Sequence, residues 1–180
     1  MKKLIFVLGA MALLSPPSYA DTGTTTTKMS GGVDFAMPYV LSADGNKVNE
    51  RGNFNIGVDG RYWITENINA GMRVNFDVEE RTPGSRQFAM APGAQYHWMT
   101  TERFSPFARF DLPILLLNKP EQDIGVSLGG GVAWNLGDAI GVQNLLVRYD
   151  FAFNWFFGLG NATNNVIALD LFKIGFDYRF

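Results

Sequence analysis

Residues 145–155 read LLVRYDFAFNW, and this stretch decides the fold. Apolar side chains occupy every second position from Leu145 to Trp155, and mostly polar or small residues stand between them, including Arg148 and Asp150. A period of two is that of a β-strand, whose successive side chains point to opposite faces of a sheet. The stretch therefore predicts a strand with one apolar face and one polar face.

The same alternation recurs along most of the chain. It predicts eight strands, at about 29–39, 53–64, 68–78, 87–98, 104–116, 126–135, 145–155 and 172–180. Turn-rich stretches separate them, such as Asp44-Gly45-Asn46 and Thr82-Pro83-Gly84-Ser85. Pro106 and Pro113 weaken the fifth strand and predict irregular ends there. An even number of antiparallel strands can close into a barrel without an exposed edge, so we predict an all-β, eight-stranded, antiparallel up-and-down barrel.

Composition supports a structural or membrane protein over an enzyme. The 180 residues are 47% hydrophobic and 14% aromatic, with 15 Phe and 20 Gly, which suits strands better than helices. The absence of cysteine excludes disulfides and thiol chemistry, and one histidine leaves little material for a zinc site. A formal net charge of −2 provides no basic surface for nucleic acid. We predict neither a cofactor nor a metal.

The N-terminal residues have the order of a secretory signal peptide. Lys2 and Lys3 precede an apolar stretch at 4–14, and small residues lead to a predicted cut between Ala20 and Asp21. The apolar stretch is too short to cross a bilayer as a helix. We therefore predict a cleaved signal at 1–20, a flexible threonine-rich lead-in at 21–27 and a barrel domain at 28–180.

Three features predict that the apolar face of the barrel points outward, to lipid. Eight strands enclose a narrow lumen, which suits the small and polar residues of the other face better than bulky apolar ones. Aromatic residues gather near strand ends, as in the interfacial girdles of membrane barrels. They are Tyr62, Tyr96, Trp98, Trp134 and Tyr178 at one rim, and Tyr39, Trp155 and Phe156 at the other. The chain also stops on Phe180, after an alternating apolar run.

With its export signal, eight amphipathic strands and terminal phenylalanine, the sequence resembles the small bacterial outer-membrane β-barrel superfamily that contains outer membrane proteins A, X and W. The most specific part is the ending FKIGFDYRF at 172–180. In that family such an ending is the signal read by the outer-membrane assembly machinery, and the matching positions are Ile174, Phe176, Tyr178 and Phe180.

The resemblance implies a monomer in the bacterial outer membrane, in contact with its lipid and lipopolysaccharide. Both ends of the chain would lie in the periplasm. The loops near 40–52, 79–87, 117–124 and 157–165 would then face outward.

The polar face places charges of both signs in the predicted lumen. The acidic residues are Asp34, Asp59, Asp77, Asp111, Asp150 and Asp177, and the basic ones are Arg61, Arg73, Arg109, Arg148, Lys173 and Arg179. Unpaired charge is costly in a confined space of low dielectric. Six acidic residues facing six basic ones therefore predict a salt-bridged, closed lumen with a structural purpose. A narrow pathway for ions or small, even hydrophobic, molecules is the alternative.

An enzymatic role receives little support from the residues. Acyl-transfer chemistry needs a nucleophile, a base and an orienting acid, and His97 is the single candidate base, with Ser105 and Glu102 nearby. These residues fall near the predicted periplasmic rim, whereas lipid-modifying barrels of this superfamily place their sites toward the outer leaflet. Glu79 and Glu80 beside Asp77 are the best oxygen ligands for a cation, but a solvated loop explains them as well. We predict a non-enzymatic envelope protein with a structural or surface-interaction role.

Overall fold

The computed structural model describes residues 29–43, 45–78, 88–98, 103–116, 122–136, 140–142, 144–158 and 165–180. The predicted signal peptide and lead-in, with the cut between Ala20 and Asp21, lie outside the described residues, as do Glu79, Glu80 and Glu102. No helix in the described part of the chain is long and apolar enough to cross a membrane.

Ten strands form one closed antiparallel sheet in the described residues. They are β1 (Met29–Ala43), β2 (Asn46–Arg51), β3 (Asn55–Trp63), β4 (Ile68–Asp77), β5 (Phe88–His97), β6 (Phe104–Asp111), β7 (Ile114–Leu116), β8 (Gln122–Asn135), β9 (Leu145–Gly158) and β10 (Asn165–Arg179). Each pairs with its neighbours, and β10 returns to pair with β1 from Ser30–Arg179 to Ala43–Val166. This pairing closes the sheet into a barrel.

The wall has eight strand positions, which confirms the predicted fold class. β6 and β7 occupy one position together, because both lie between β5 and β8, and β2 and β3 occupy another, because both pair with the side of β1 that faces away from β10. The interruption falls at Leu112–Pro113, where proline cannot donate a backbone hydrogen bond. Pro106, by contrast, lies inside β6 opposite Val132. The short β2 folds back on the far half of β1 after a turn in which Gly45 has a φ of 76°.

The last strand begins seven residues earlier than the alternation predicts, at Asn165 instead of residue 172. Its register against β9 and β1 shifts between Asp170 and Lys173, which marks a β-bulge. The consecutive residues Leu171 and Phe172 both face outward as a result, so the period of two changes phase at this point. The Tyr149 hydroxyl donates a hydrogen bond of 2.7 Å to the Leu171 carbonyl on the outer surface beside the bulge.

The remaining corrections concern strand ends. The first strand continues past residue 39 to Ala43, and residues 46–51, predicted as loop, form β2. The strand predicted from residue 126 begins at Gln122. In these extra residues the apolar–polar alternation fades although the backbone pairing continues.

The polar face lines the lumen and the apolar face covers the outside, as the alternation predicts. In β9 the inward residues Arg148 and Asp150 are buried, whereas the outward residues Tyr149 and Phe151 are 45% and 54% exposed. We call the end of the barrel that holds the turns after β3, β5 and β8 the turn end, and the opposite end the loop end. At the turn end, a backbone hydrogen bond also joins the two ends of the described chain where β1 meets β10. The Phe180 amide donates to the Met29 carbonyl oxygen at 2.8 Å.

Glycines allow neighbouring strands to lie close together on the inner face of the barrel. A Cβ atom on Gly71 would overlap the backbone oxygen of Gly60 on the neighbouring strand, and one on Gly129 would overlap the Phe151 carbonyl oxygen. Gly60 itself has open space around the position of a Cβ atom. The narrow lumen therefore tolerates no side chain at Gly71 or Gly129, whereas Gly60 is free to carry one.

We expect Gly71→Ala to lower the free energy of unfolding by about 1–3 kcal/mol, because backbone must move to admit the methyl group. Gly60→Ala, on the paired strand, is the matched control and should change stability little. Urea unfolding of the refolded barrel in detergent micelles, followed by tryptophan fluorescence, measures both. Equal losses for the two variants would contradict the packing argument.

A charged lumen as candidate functional site

At the centre of the lumen, one carboxylate meets three cations. Asp34 of β1 is fully buried, and its Oδ1 lies 2.9 Å from Arg73 Nη2 of β4. Its Oδ2 lies 3.7 Å from Arg148 Nη2 of β9 and 3.6 Å from Lys173 Nζ of β10. Four strands from both sides of the barrel thus converge on this carboxylate.

Toward the loop end, the pairing continues through Arg109. Its Nη1 lies 3.0 Å from Asp150 Oδ2, its Nε lies 3.5 Å from Asp111 Oδ2, and its Nη2 lies 3.9 Å from Asp170 Oδ2. Lys173 Nζ is 3.6 Å from the same Asp150 oxygen, which connects this group to the centre. Positive and negative groups therefore alternate across the lumen without a layer of one sign.

Toward the turn end, Arg148 and Arg61 share the carboxylates. Arg148 contacts Asp59 at 3.4 Å and Asp177 at 3.3 Å, and Arg61 Nε donates to Asp59 Oδ2 at 2.8 Å. These contacts complete one connected network, which we call the charge cluster. Its described members are Asp34, Asp59, Arg61, Arg73, Arg109, Asp111, Arg148, Asp150, Asp170, Lys173 and Asp177.

The structure brings ten of the twelve charges predicted for the lumen into this cluster. The other two lie nearer the ends of the barrel. Asp77, near the loop end, accepts a hydrogen bond of 2.8 Å from Asn53 Nδ2. The Arg179 guanidinium, at the turn end, lies 4.4 Å from the ring centre of Trp63. Sequence reasoning missed Asp170, because the predicted strand began after it. A lone aspartate within the apolar run 166–172 was the available signal.

An aromatic stack lies below the charge cluster, at the turn end. The His97 ring centre is 5.0 Å from that of Trp63 and 5.1 Å from that of Phe107. His97 and Phe107 are only 3% and 2% exposed. We call Trp63, His97 and Phe107 the aromatic plug. It forms a second layer of side chains in the lumen, which the alternation did not predict because Trp63 and Phe107 stand on the polar face of their strands.

His97 and Ser105, the candidate base and nucleophile, do come together: Nδ1 and Oγ are 3.3 Å apart. The other ring nitrogen, Nε2, lies 3.2 Å from Gln95 Oε1, an amide oxygen where a catalytic triad has a carboxylate. The Ser105 hydroxyl donates to the Trp98 carbonyl oxygen at 2.9 Å. These contacts tie the turn after β5 to the plug and do not prepare the serine for attack.

Among the described residues, open space lies in the loop-end half of the lumen. A cavity of about 410 Å³ lies there, and we call it the loop-end cavity. A smaller pocket of about 50 Å³, the floor pocket, lies beside the charge cluster, with Arg73, Arg109 and Asp111 in its wall. The two spaces share Asn55 and Asn154. In the part of the chain that the structure describes, the lumen thus has cavities toward the loop end and packed rings at the turn end.

No protein-family model matches the sequence, and no curated protein sequence matches it. Solved structures do match the fold. Neisserial surface protein A (NspA) matches with a TM-score of 0.63 at 15% identity, over 84% of this chain and 97% of that one. The N-terminal β-barrel domain of Pseudomonas aeruginosa OprF matches with a TM-score of 0.52 at 13% identity, over 83% and 97%.

A de novo designed transmembrane β-barrel matches as well, with a TM-score of 0.53 at 11% identity over 87% of this chain and 98% of that one. The designed barrel has the same architecture without an evolved role, so the likeness concerns the fold. This chain has the fold of the small eight-stranded transmembrane β-barrels.

We expect Arg148→Met to lower the free energy of unfolding by about 3–5 kcal/mol, because it leaves Asp34, Asp59 and Asp177 short of a buried countercharge. Arg103→Met removes the same guanidinium at an exposed position over Trp134 and should cost under about 1 kcal/mol. Urea unfolding in micelles compares them. Similar losses would show that the cluster contributes no more than a surface charge.

Proposed function

We propose that this protein, with the fold of a transmembrane β-barrel, is an integral protein of the bacterial outer membrane whose lumen is closed. It serves the structure or the surface interactions of the cell envelope, without catalysis or a cofactor. The observation that carries this proposal is the pair of layers across the lumen, the charge cluster and, below it, the aromatic plug.

The outer surface supports the membrane location. Outward side chains in the middle of the wall are bulky and exposed, such as Leu128 at 55% and Phe172 at 64%. A barrel in water would leave this surface unfavourably hydrated, whereas lipid covers it. Aromatic side chains stand at the turn end, including Tyr62, Tyr96 and Trp98, and Tyr39 and Trp155 stand nearer the loop end. Such girdles suit the two interfaces of a bilayer.

The proposed partners follow from this location. Lipid and lipopolysaccharide surround the wall, and the closed pairing of β1 with β10 is consistent with a monomer. Residues 1–20 act as the export signal. The outward side chains of Ile174, Phe176, Tyr178 and Phe180 at the end of β10 present the signal to the assembly machinery, with the Tyr178 and Phe180 rings 5.1 Å apart.

We expect Phe180→Ala to reduce the amount of folded barrel in the outer membrane of expressing cells several-fold, because the assembly signal loses its last ring. Refolding of the purified variant in micelles should change little, since the Phe180 amide still pairs with Met29. Phe172→Ala removes the most exposed phenylalanine of β10 and is the control. If both variants assemble alike in cells, Phe180 has no role in recognition.

A narrow channel is the alternative function, and conductance separates the two. We expect the refolded barrel to show no steady openings in planar bilayers, and Phe107→Ala to stay silent too, because the charge cluster still fills the lumen above the plug. Proteoliposomes that also carry nystatin and ergosterol report each fusion event as a conductance step that then decays, so silence is not mistaken for failed insertion. Steady openings of the native barrel that change with Arg73→Ala would overturn the closed-lumen proposal.

A further inference from the structure

The outer surface at the turn end has an arginine that the closed lumen does not use. We propose that Arg103 and the side chains around it bind one phospholipid of net negative charge in the adjacent leaflet of the bilayer. The lipid phosphate contacts the guanidinium, and an acyl chain lies along the wall beside β6 and β8. This inference rests on the membrane location proposed above. It is carried by the position of Arg103, by its charge and by the relief of the wall next to it.

Arg103 is held at the level of the turn-end aromatic girdle. It stands immediately before β6, and its backbone carbonyl accepts a hydrogen bond of 2.9 Å from the Asn135 amide at the end of β8. Its guanidinium carbon lies 5.4 Å from the ring centre of Trp134, and the Phe104 ring stacks with the same indole at 5.7 Å. Because such rings prefer the bilayer interface, this contact keeps the cation at the depth of the lipid head groups.

The charge of Arg103 favours an anionic head group. Arginines of the charge cluster pair with aspartates inside the lumen, whereas Arg103 is exposed on the outside. In the described part of the chain, its side chain contacts the Trp134 ring and no carboxylate. A guanidinium binds phosphate oxygens with two parallel N–H donors. Choline and ethanolamine head groups carry their own cation beside the phosphate, so a lipid of net negative charge gains more from Arg103.

The wall next to Arg103 has a shallow groove without aromatic side chains on its floor. The floor consists of Pro106 and Ala108 of β6, which lie opposite Val132 and Gly130 of β8. Exposed rings of the two flanking strands border the groove on both sides, since their residues pair with those of the floor. They are Tyr96 and Trp98 of β5, and Tyr149 and Phe151 of β9.

A phospholipid accounts for the groove and the cation together. The groove runs along β6 from Arg103 toward the middle of the wall, which is the direction of an acyl chain below its head group. A free phosphate or a soluble anion would leave the apolar groove uncovered, and a neutral hydrocarbon would leave the guanidinium without a countercharge. The surrounding bilayer supplies the one ligand that has both parts.

The test uses isotope-labelled barrel in nanodiscs of dimyristoyl phosphatidylcholine, in which dimyristoyl phosphatidylglycerol replaces a rising fraction of the lipid. The two lipids share their acyl chains and differ in the charge of the head group. The backbone amide NMR signals of Phe104 and Asn135 and the indole signal of Trp134 report the site. We expect saturable shifts with about a fivefold preference for phosphatidylglycerol, the factor that one arginine near an anionic head group supplies. Shifts without saturation, or no shifts, would overturn the proposal.

One variant and one matched control locate the charge. Arg103→Gln removes the guanidinium, and we expect the fivefold preference at the Trp134 signal to disappear. Lys47→Gln removes one positive charge from an exposed position on β2 at the loop end, and the preference should stay unchanged. An unchanged preference in Arg103→Gln would contradict the assignment. Equal losses in the two variants would attribute the effect to net charge and overturn the site.

Failure of the membrane location gives a different result in the same sample. Magnetisation transfer from lipid acyl protons to the amides of Leu128 and Phe172 shows that the wall lies in the bilayer. If this transfer is absent, the membrane location and the lipid site both fail. If it is present without a preference for phosphatidylglycerol, the lipid site alone fails. Shifts of the Trp134 signal that require two barrels in one disc would assign this face to a second copy and overturn the proposal.

Discussion

The constraint on which the rest of this structure depends is the narrowness of an eight-stranded barrel that has charged side chains on its inner face. Ions in such a space cannot keep a full hydration shell, so each needs an opposite charge within contact distance. The charge cluster meets this need by alternation: Asp34 reaches Arg73, Arg148 and Lys173, and Asp150 reaches Arg109 and Lys173. The contacts link strands on opposite sides of the wall, and therefore hold the barrel together from inside while blocking its centre.

The same crowding explains how the two ends differ. Toward the turn end, the inward positions carry rings, and Trp63, His97 and Phe107 pack against one another below the ions. Toward the loop end, the described side chains around the two pockets, such as Ser127 and Asn154, leave space between them. Within the described residues, a single lumen thus combines a packed base with open space toward the loop end.

The sequence predicted correctly which side chains face the lumen wherever the apolar–polar alternation is regular. In β3, β4 and β9 every inward and outward position follows from the period of two, and the inward charges Arg61, Arg73 and Arg148 were identified for that reason. In β10 the bulge shifts the phase between Asp170 and Lys173, and the predicted strand began only at residue 172, so Asp170 was left out although it contacts Arg109. A pattern of fixed period cannot anticipate a residue inserted into it. The aromatic plug was missed for a related reason: alternation sorts residues by polarity, whereas Trp63 and Phe107 face inward to fill space.

The sequence by itself determined that the chain forms strands, that their number is even and that the charged face and the bulky apolar face lie on opposite sides, because these properties follow from the local geometry of one strand. Only the tertiary structure decided which charges meet, where the lumen is filled and where a cavity remains. Those depend on the stagger between strands distant in the chain, as when Arg148 of β9 reaches Asp59 of β3 across the lumen. Stagger is set by turns, bulges and closure of the whole sheet, and no single strand contains that information.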